Sequence, residues 1–185
     1  MTIKCSVYIA ASVDGFIAGP DGEIDWLHRP EYDAPEAGDY GYEAFISTVD
    51  ALVMGRHSYE KVRTFEEWPY GEMTVVVLSS QMVEIPPALE GKVIAEQGAP
   101  QEIVARLEEK GVSHLYIDGG VTIQRFLRAG LIDQMIVTRI PVLLGRGIPL
   151  FGSVGTEIPL KHVRTESFEN GFVQSHYEIV VNDTS

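Results

Sequence analysis

Four short clusters bring together glycine, hydroxyl and charged side chains: Asp14-Gly15, Gly55-Arg56-His57-Ser58, Ser79-Ser80 and Asp118-Gly119-Gly120. Each comes shortly after an apolar run. Glycine lets a backbone approach a ligand, and N–H groups at a helix start hold phosphate. Hydroxyls add donors, and Arg56 supplies a planar charged fork. Singly, each cluster also reads as a turn, a strand end or a solvated helix start. Their recurrence after nearly every apolar run favours a joint role, and together they suit a dinucleotide with several phosphates. The fingerprint G-x-G-x-x-G is absent: Gly145-Arg146-Gly147 lacks the third glycine, and no helix is expected after it.

Other chemistries leave little trace. No nucleophilic triad is visible. His28, His57, His114, His162 and His176 are scattered without ligand spacing, so no metal site is expected. Asp14 and Asp25 are acid candidates, although Asp14 in Asp-Gly is equally a turn former.

These residues must be positioned by elements that the apolar pattern outlines. Lys4 to Ala11, Ala51 to Met54, Thr74 to Leu78, Lys92 to Ala95 and His114 to Ile117 read as buried strands. Between them, Ala34 to Thr48 reads as a helix with Tyr42, Phe45, Ile46 and Val49 at helical spacing. Gly55 to Val62, Pro100 to Lys110 and Thr122 to Ala129 are further helices. A β region follows: Gln134 to Pro141, then a hairpin from about Arg164 to Val180 turning at Glu169-Asn170-Gly171. Strands alternating with helices imply a mainly parallel sheet, here with an antiparallel hairpin at one side. In such a sheet, ligands bind beyond the carboxyl ends of the strands, which gathers the four clusters on one edge. Asn182 to Ser185 are expected to fray.

Composition bounds the class. The 185 residues fit one domain, 1–185, and 45% hydrophobic content supports a large core. The single Cys5 excludes a disulfide framework and points to a reducing compartment. The apolar run from Val7 to Ala11 is too short for a membrane span, and the chain is expected to be cytoplasmic. A net charge of −13 argues against general nucleic-acid binding but leaves room for an anionic small ligand.

The motifs IAASVDGFIAGPDGEIDWL, ALVMGRHSYE, VVVLSS, LYIDGG and PVLLGRGIPLF run nearly end to end. In order and spacing the chain resembles the dihydrofolate reductase-like proteins, in the branch similar to the C-terminal reductase domain of bacterial riboflavin biosynthesis. The resemblance implies a three-layer α/β fold and NADPH as cofactor. It implies that Ala10 and Ile17 flank the nicotinamide, with Gly22 and Trp26 in a loop that closes over it. Gly55, Arg56, His57 and Ser58 would hold the adenosine ribose and its 2′-phosphate. Leu78, Ser79 and Ser80 would line the adenine side. Ile117 and the run Gly119, Gly120, Val121, Thr122 and Ile123 would serve the pyrophosphate. Asp118 stands where dihydrofolate reductases carry a glycine. On the substrate side, Asp39 falls near the position of their helix carboxylate, and Thr138 matches its partner threonine. Asp39 reads equally as an exposed helix-start residue favoured by the macrodipole.

The deaminase signature of H-x-E with P-C-x-x-C, often fused to the riboflavin enzymes, is absent, so reduction alone is implied. The expected activity is hydride transfer from NADPH to a small heterocycle or ribosylamino-pyrimidine. Dihydrofolate reduction and a non-catalytic NADPH sensor are the alternatives. A homodimer through Pro141–Leu144 and Ile148–Phe151 is a further expectation, with core packing as the competing explanation.

Overall fold

Short apolar runs become the middle strands of one eight-stranded sheet because both of its faces are covered. The computed structural model describes residues 2–180; the fraying expected at Asn182 to Ser185 lies outside them. The strands are β1 (Lys4–Ser12), β3 (Ala51–Gly55), β4 (Thr74–Leu78), β5 (Val93–Glu96), β6 (His114–Ile117), β7 (Gln134–Ile140), β9 (Leu160–Ser167) and β10 (Val173–Ile179). Their order is β5-β4-β3-β6-β1-β7-β10-β9. The first six run parallel, and β10 pairs antiparallel with both β7 and β9. The fold is therefore α/β with a mainly parallel sheet and a C-terminal antiparallel pair.

Alternation along each strand sorts side chains between the two faces. Val7, Ile9, Val53, Val76, Leu115 and Ile117 pack under α3 (Pro100–Glu109) and α4 (Gly120–Arg128). Leu52, Met54, Val75, Val77 and Tyr116 pack on the opposite face, under α1 (Tyr42–Ile46) and α2 (Arg56–Val62). This gives three layers.

Two expectations change. The helix from Ala34 to Thr48 is only the short α1, preceded by a 3-10 turn at Pro35–Ala37. Gly38 (φ 60°), Tyr40 (φ 58°) and Gly41 (φ 80°) break it by entering the left-handed region. For Tyr40 that conformation is strained, and its surroundings fix it. Its carbonyl accepts from Tyr8 Oη (2.7 Å) and Gln174 Nε2 (3.0 Å), its hydroxyl accepts from Asn170 Nδ2 (2.8 Å), and its ring packs on Phe168 and Phe172. The second change is an unforeseen two-stranded sheet, in which β2 (Phe16–Ala18) pairs with β8 (Ile148–Pro149). The β9–β10 hairpin also begins earlier than expected, at Leu160.

The proposed dimer segments divide. Ile148 forms β8 and Leu150 is buried, whereas Leu143 and Phe151 are exposed. Among the described residues no helix is long and apolar enough to cross a membrane, and no group of three His, Cys, Asp or Glu is arranged to hold a metal ion.

Candidate functional site

A cleft of about 1600 Å³ opens along the carboxyl ends of β1, β3, β4, β5 and β6. A pocket for one drug-sized ligand is roughly 300–1000 Å³, so this cleft has room for two molecules. A shallow hollow of about 160 Å³ over β7 and β10 carries no comparable set of polar groups.

One half of the cleft is built from backbone, hydroxyls and cations. Gly55, Arg56, His57 and Ser58 line it where β3 turns into α2. Leu78, Ser79 and Ser80 line it after β4, with Gln97 and Gly98 after β5. The first turn of α4 lines it through Gly120, Val121 and Thr122, whose N–H groups have no acceptor within the helix. Arg125, unnoticed in the sequence, lines the same wall and donates to the Gly98 carbonyl at 2.9 Å. Arg56 lies 3.7 Å from Glu60 and His57 3.5 Å from it, so one carboxylate on α2 attends both. The Ser79 hydroxyl is engaged in a turn with Gln81, whereas that of Ser80 has no partner among the described residues. Such a donor set fits phosphate groups and a ribose.

The other half is aromatic, and its residues are scattered along the chain. Tyr8 and Tyr116 project from neighbouring strands, and Tyr42 and Tyr70 close over them. Tyr8 meets Tyr42 edge-on at 5.4 Å and stacks on Phe45 at 5.1 Å. Asp118 also opens into this space, just past β6. Its Oδ1 accepts the Gly119 N–H at 2.9 Å, and Oδ2 has no partner among the described residues. Burial pushes its carboxyl up to about 6, against the smaller opposing effect of the Gly119 bond. The neighbouring phenols rise as well, from burial first and the Asp118 charge second, at Tyr42, Tyr70 and Tyr116.

Over both halves lies the segment that follows β1. Ala10, Ile17, Ala18 and Gly22 line the cleft from it, as does Ile148 from β8. The segment is pinned at its base. The Asp14 carboxylate accepts from Ser12 Oγ (2.6 Å) and from the N–H groups of Leu144 (3.1 Å) and Gly145 (2.7 Å). Those bonds, that of Ser12 foremost, hold its pKa below the ordinary value. At Gly147 a Cβ would lie 2.2 Å from the Ala18 carbonyl oxygen, so only glycine lets β8 approach β2 this closely.

With that architecture in view, the comparisons with known proteins decide the kinship. The model of the RibD C-terminal domain matches residues 4–174. The chain belongs to the RibD C-terminal domain family. The uncharacterized protein YwjB of Bacillus subtilis (strain 168) is 37% identical over 181 residues, covering 96% of this chain and 98% of that protein. Dihydrofolate reductase HdrB of Haloferax volcanii is 30% identical over 129 residues, covering 68% of this chain and 62% of that one. A crystal structure of a protein from Shewanella sp. PV-4 named for riboflavin biosynthesis superposes with a TM-score of 0.90 at 42% identity, covering 97% of this chain and 100% of that one. The fold is also that of dihydrofolate reductase from Enterococcus faecalis (TM-score 0.67, 20% identity, 97% of each chain).

Against this family background, six of the expected site residues stand away from the cleft wall. Asp14 serves the latch just described. Asp39 accepts the N–H groups of Gly41 (3.0 Å) and Glu43 (2.5 Å) at the start of α1, and these bonds hold its pKa low. Shortening of the helix to α1 is what turned Asp39 into a capping group. Thr138 is buried, its hydroxyl accepting from Gln174 Nε2 at 3.0 Å. Trp26 packs with Ile140 and Phe172 beneath that segment, its indole N–H buried without an acceptor among the described residues. Ile117, on β6, and Ile123, on the inner face of α4, are core residues. Gly119 lines the cleft with Gly120.

Proposed function

We propose that this chain is an NADPH-dependent reductase acting on a small heterocycle of the ribosylamino-pyrimidine type. One observation carries the reading: a single cleft joins a phosphate-suited end to an aromatic end that holds a buried carboxyl. Hydride is what the nicotinamide of NADPH contributes when bound. Arg56, His57 and Ser80 would hold the 2′-phosphate end, with the first turn of α4 at the pyrophosphate. The loop bearing Ile17 and Gly22 would exclude water from the reacting atoms. Asp118 would store the proton. As hydride reaches the carbon of a C=N bond, the nitrogen takes the proton from Asp118, leaving CH–NH and an ionised carboxylate. A carboxyl near 6 is suited to that exchange at neutral pH.

The test is a substrate screen that follows NADPH oxidation, with Asp118→Asn in parallel. Dihydrofolate belongs in the screen because HdrB carries that activity in its name, although Asp39 does not reach the cleft. Oxidation of NADPH that needs a heterocycle and is lost in Asp118→Asn is the expected result. Binding of NADPH with no turnover on any heterocycle would favour a sensor.

A further inference from the structure

We infer that Arg106 and Arg125 are positioning residues for the nucleotide base: together they hold the turn after β5, and neither serves as a phosphate ligand. The inference rests on the reading above, in which the cleft takes NADPH, and it concerns only the base end of that nucleotide.

Strand order sets where that end lies. Tyr8 and Tyr116 stand on β1 and β6, whereas β5 is the outermost strand, beyond β3 and β4. Three strand spacings of about 4.8 Å each separate β6 from β5. With the phosphates at Arg56 and the start of α4, the base falls at the ends of β4 and β5. Gln97 and Gly98 line the cleft there.

Their turn is held from two helices. Arg106, on α3, donates from Nη2 to the Gln97 carbonyl at 2.8 Å and from Nε to Glu96 at 3.1 Å. Arg125, on α4, donates from Nη2 to the Gly98 carbonyl at 2.9 Å. Two successive carbonyls are thus each fixed by a guanidinium. Gly98 sits at φ 142°, and a Cβ there would lie 2.5 Å from the Glu102 carboxylate, which accepts the Ala99 N–H at 3.0 Å. In a planar trans peptide, the N–H points opposite to the carbonyl. Fixing the Gln97 carbonyl towards Arg106 therefore turns the Gly98 N–H away from α3. That N–H has no acceptor among the described residues, so it is the donor left for a ring nitrogen of the base.

Geometry also separates these arginines from Arg56. A phosphate is gripped best by two amines of one fork. Arg56 approaches Glu60 through Nε, and its terminal amines have no partner among the described residues. Arg125 has already committed one terminal amine to Gly98. Arg106 has committed Nε and Nη2 and does not line the cleft.

The experiment is calorimetric binding of NADPH, NADH and 2′,5′-ADP to the wild type, Arg125→Ala, Arg106→Ala and the double variant. Each single variant should weaken all three ligands by a similar factor, three- to tenfold. The double variant should lose less than the product of the single losses, because both residues act on one turn. Circular dichroism checks each fold, and a glutamine variant replaces any alanine variant that does not fold. Four results overturn the inference. Arg106→Ala could bind as the wild type does while Arg125→Ala is weakened, which makes Arg125 a direct ligand. The losses could be confined to the 2′-phosphorylated ligands, or could spare 2′,5′-ADP. Neither variant could change any affinity. A wild type that binds neither dinucleotide would instead overturn the cofactor reading itself.

Discussion

The two halves of the cleft are built by opposite means. The half around Arg56 and the α4 start uses backbone N–H groups, hydroxyls and cations, and much of it is open to water. The half around Asp118 uses four tyrosines and one half-buried carboxyl. Charges at the open half are screened, so each contributes modestly and several are needed. At the closed half a single charge dominates, because little water competes for it. The halves should therefore respond differently to single substitutions.

The largest effect is expected at Asp118. With a substrate in hand, Asp118→Asn should lower turnover by a hundredfold or more, the usual scale for losing a positioned acid. The wild-type rate should fall as pH rises above about 6, and that dependence should vanish in the variant. The substitution itself should move stability the other way. A carboxyl whose folded pKa is raised adds stability below its ordinary pKa and loses that contribution as pH rises through 6. At pH 7 the buried carboxylate is a net penalty, so Asp118→Asn should be the more stable protein by on the order of 2 kcal/mol, readable by urea denaturation.

Arg56→Ala comes next. It should weaken NADPH ten- to hundredfold, the roughly 1.5–3 kcal/mol of a hydrogen bond to a charged group, and leave NADH within twofold. Equal losses for the two nucleotides would remove Arg56 from the 2′-phosphate.

Asp14→Asn probes what joins the halves. Without the carboxylate, the bonds to Leu144 and Gly145 weaken, and the loop over both halves loosens. A three- to tenfold loss in kcat/KM is expected, shared between both nucleotides, with little change in the apparent affinity at the Asp118 side. Gly147→Ala should reproduce it and also lower Tm, because its Cβ would meet the Ala18 carbonyl.

The smallest effect is a control at the amino end of the interior strand β6, away from the cleft. His114 is buried between Ser6 Oγ (2.8 Å) and the Thr48 carbonyl (2.8 Å), and burial lowers its pKa. A depressed folded pKa means that the unfolded chain binds the proton more readily. Stability should hold above the ordinary histidine pKa of about 6.5 and decline as pH falls below it. His114→Gln should blunt that decline without touching NADPH binding.

How legible each half was in the sequence follows from how each is made. Gly55-Arg56-His57-Ser58 and Gly119-Gly120 are contiguous, because a strand-to-helix turn delivers neighbouring backbone groups to one place. Their position at one sheet edge followed from the alternation of strands and helices. The aromatic half draws Tyr8 from β1, Tyr42 from α1, Tyr70 from a loop and Tyr116 from β6, and no spacing along the chain links them. Asp118 was visible, but as part of a glycine turn; alternation past Tyr116 was the signal that set it on the tyrosine face. The stretch from Ala34 to Thr48 misled because apolar spacing outweighed Gly38 and Gly41. With the helix went the register that had favoured Asp39. The pairing of β2 with β8 joins residues some 130 positions apart, and strands of three and two residues leave no periodic trace.

The most direct test is a pair of titrations, NADPH and NADH, against the wild type, Arg56→Ala and Asp118→Asn, followed by tryptophan fluorescence or calorimetry. Separable halves predict tight NADPH binding that Arg56→Ala weakens at least tenfold and Asp118→Asn leaves unchanged. NADPH binding that ignores Arg56 but collapses in Asp118→Asn would contradict this division of the cleft.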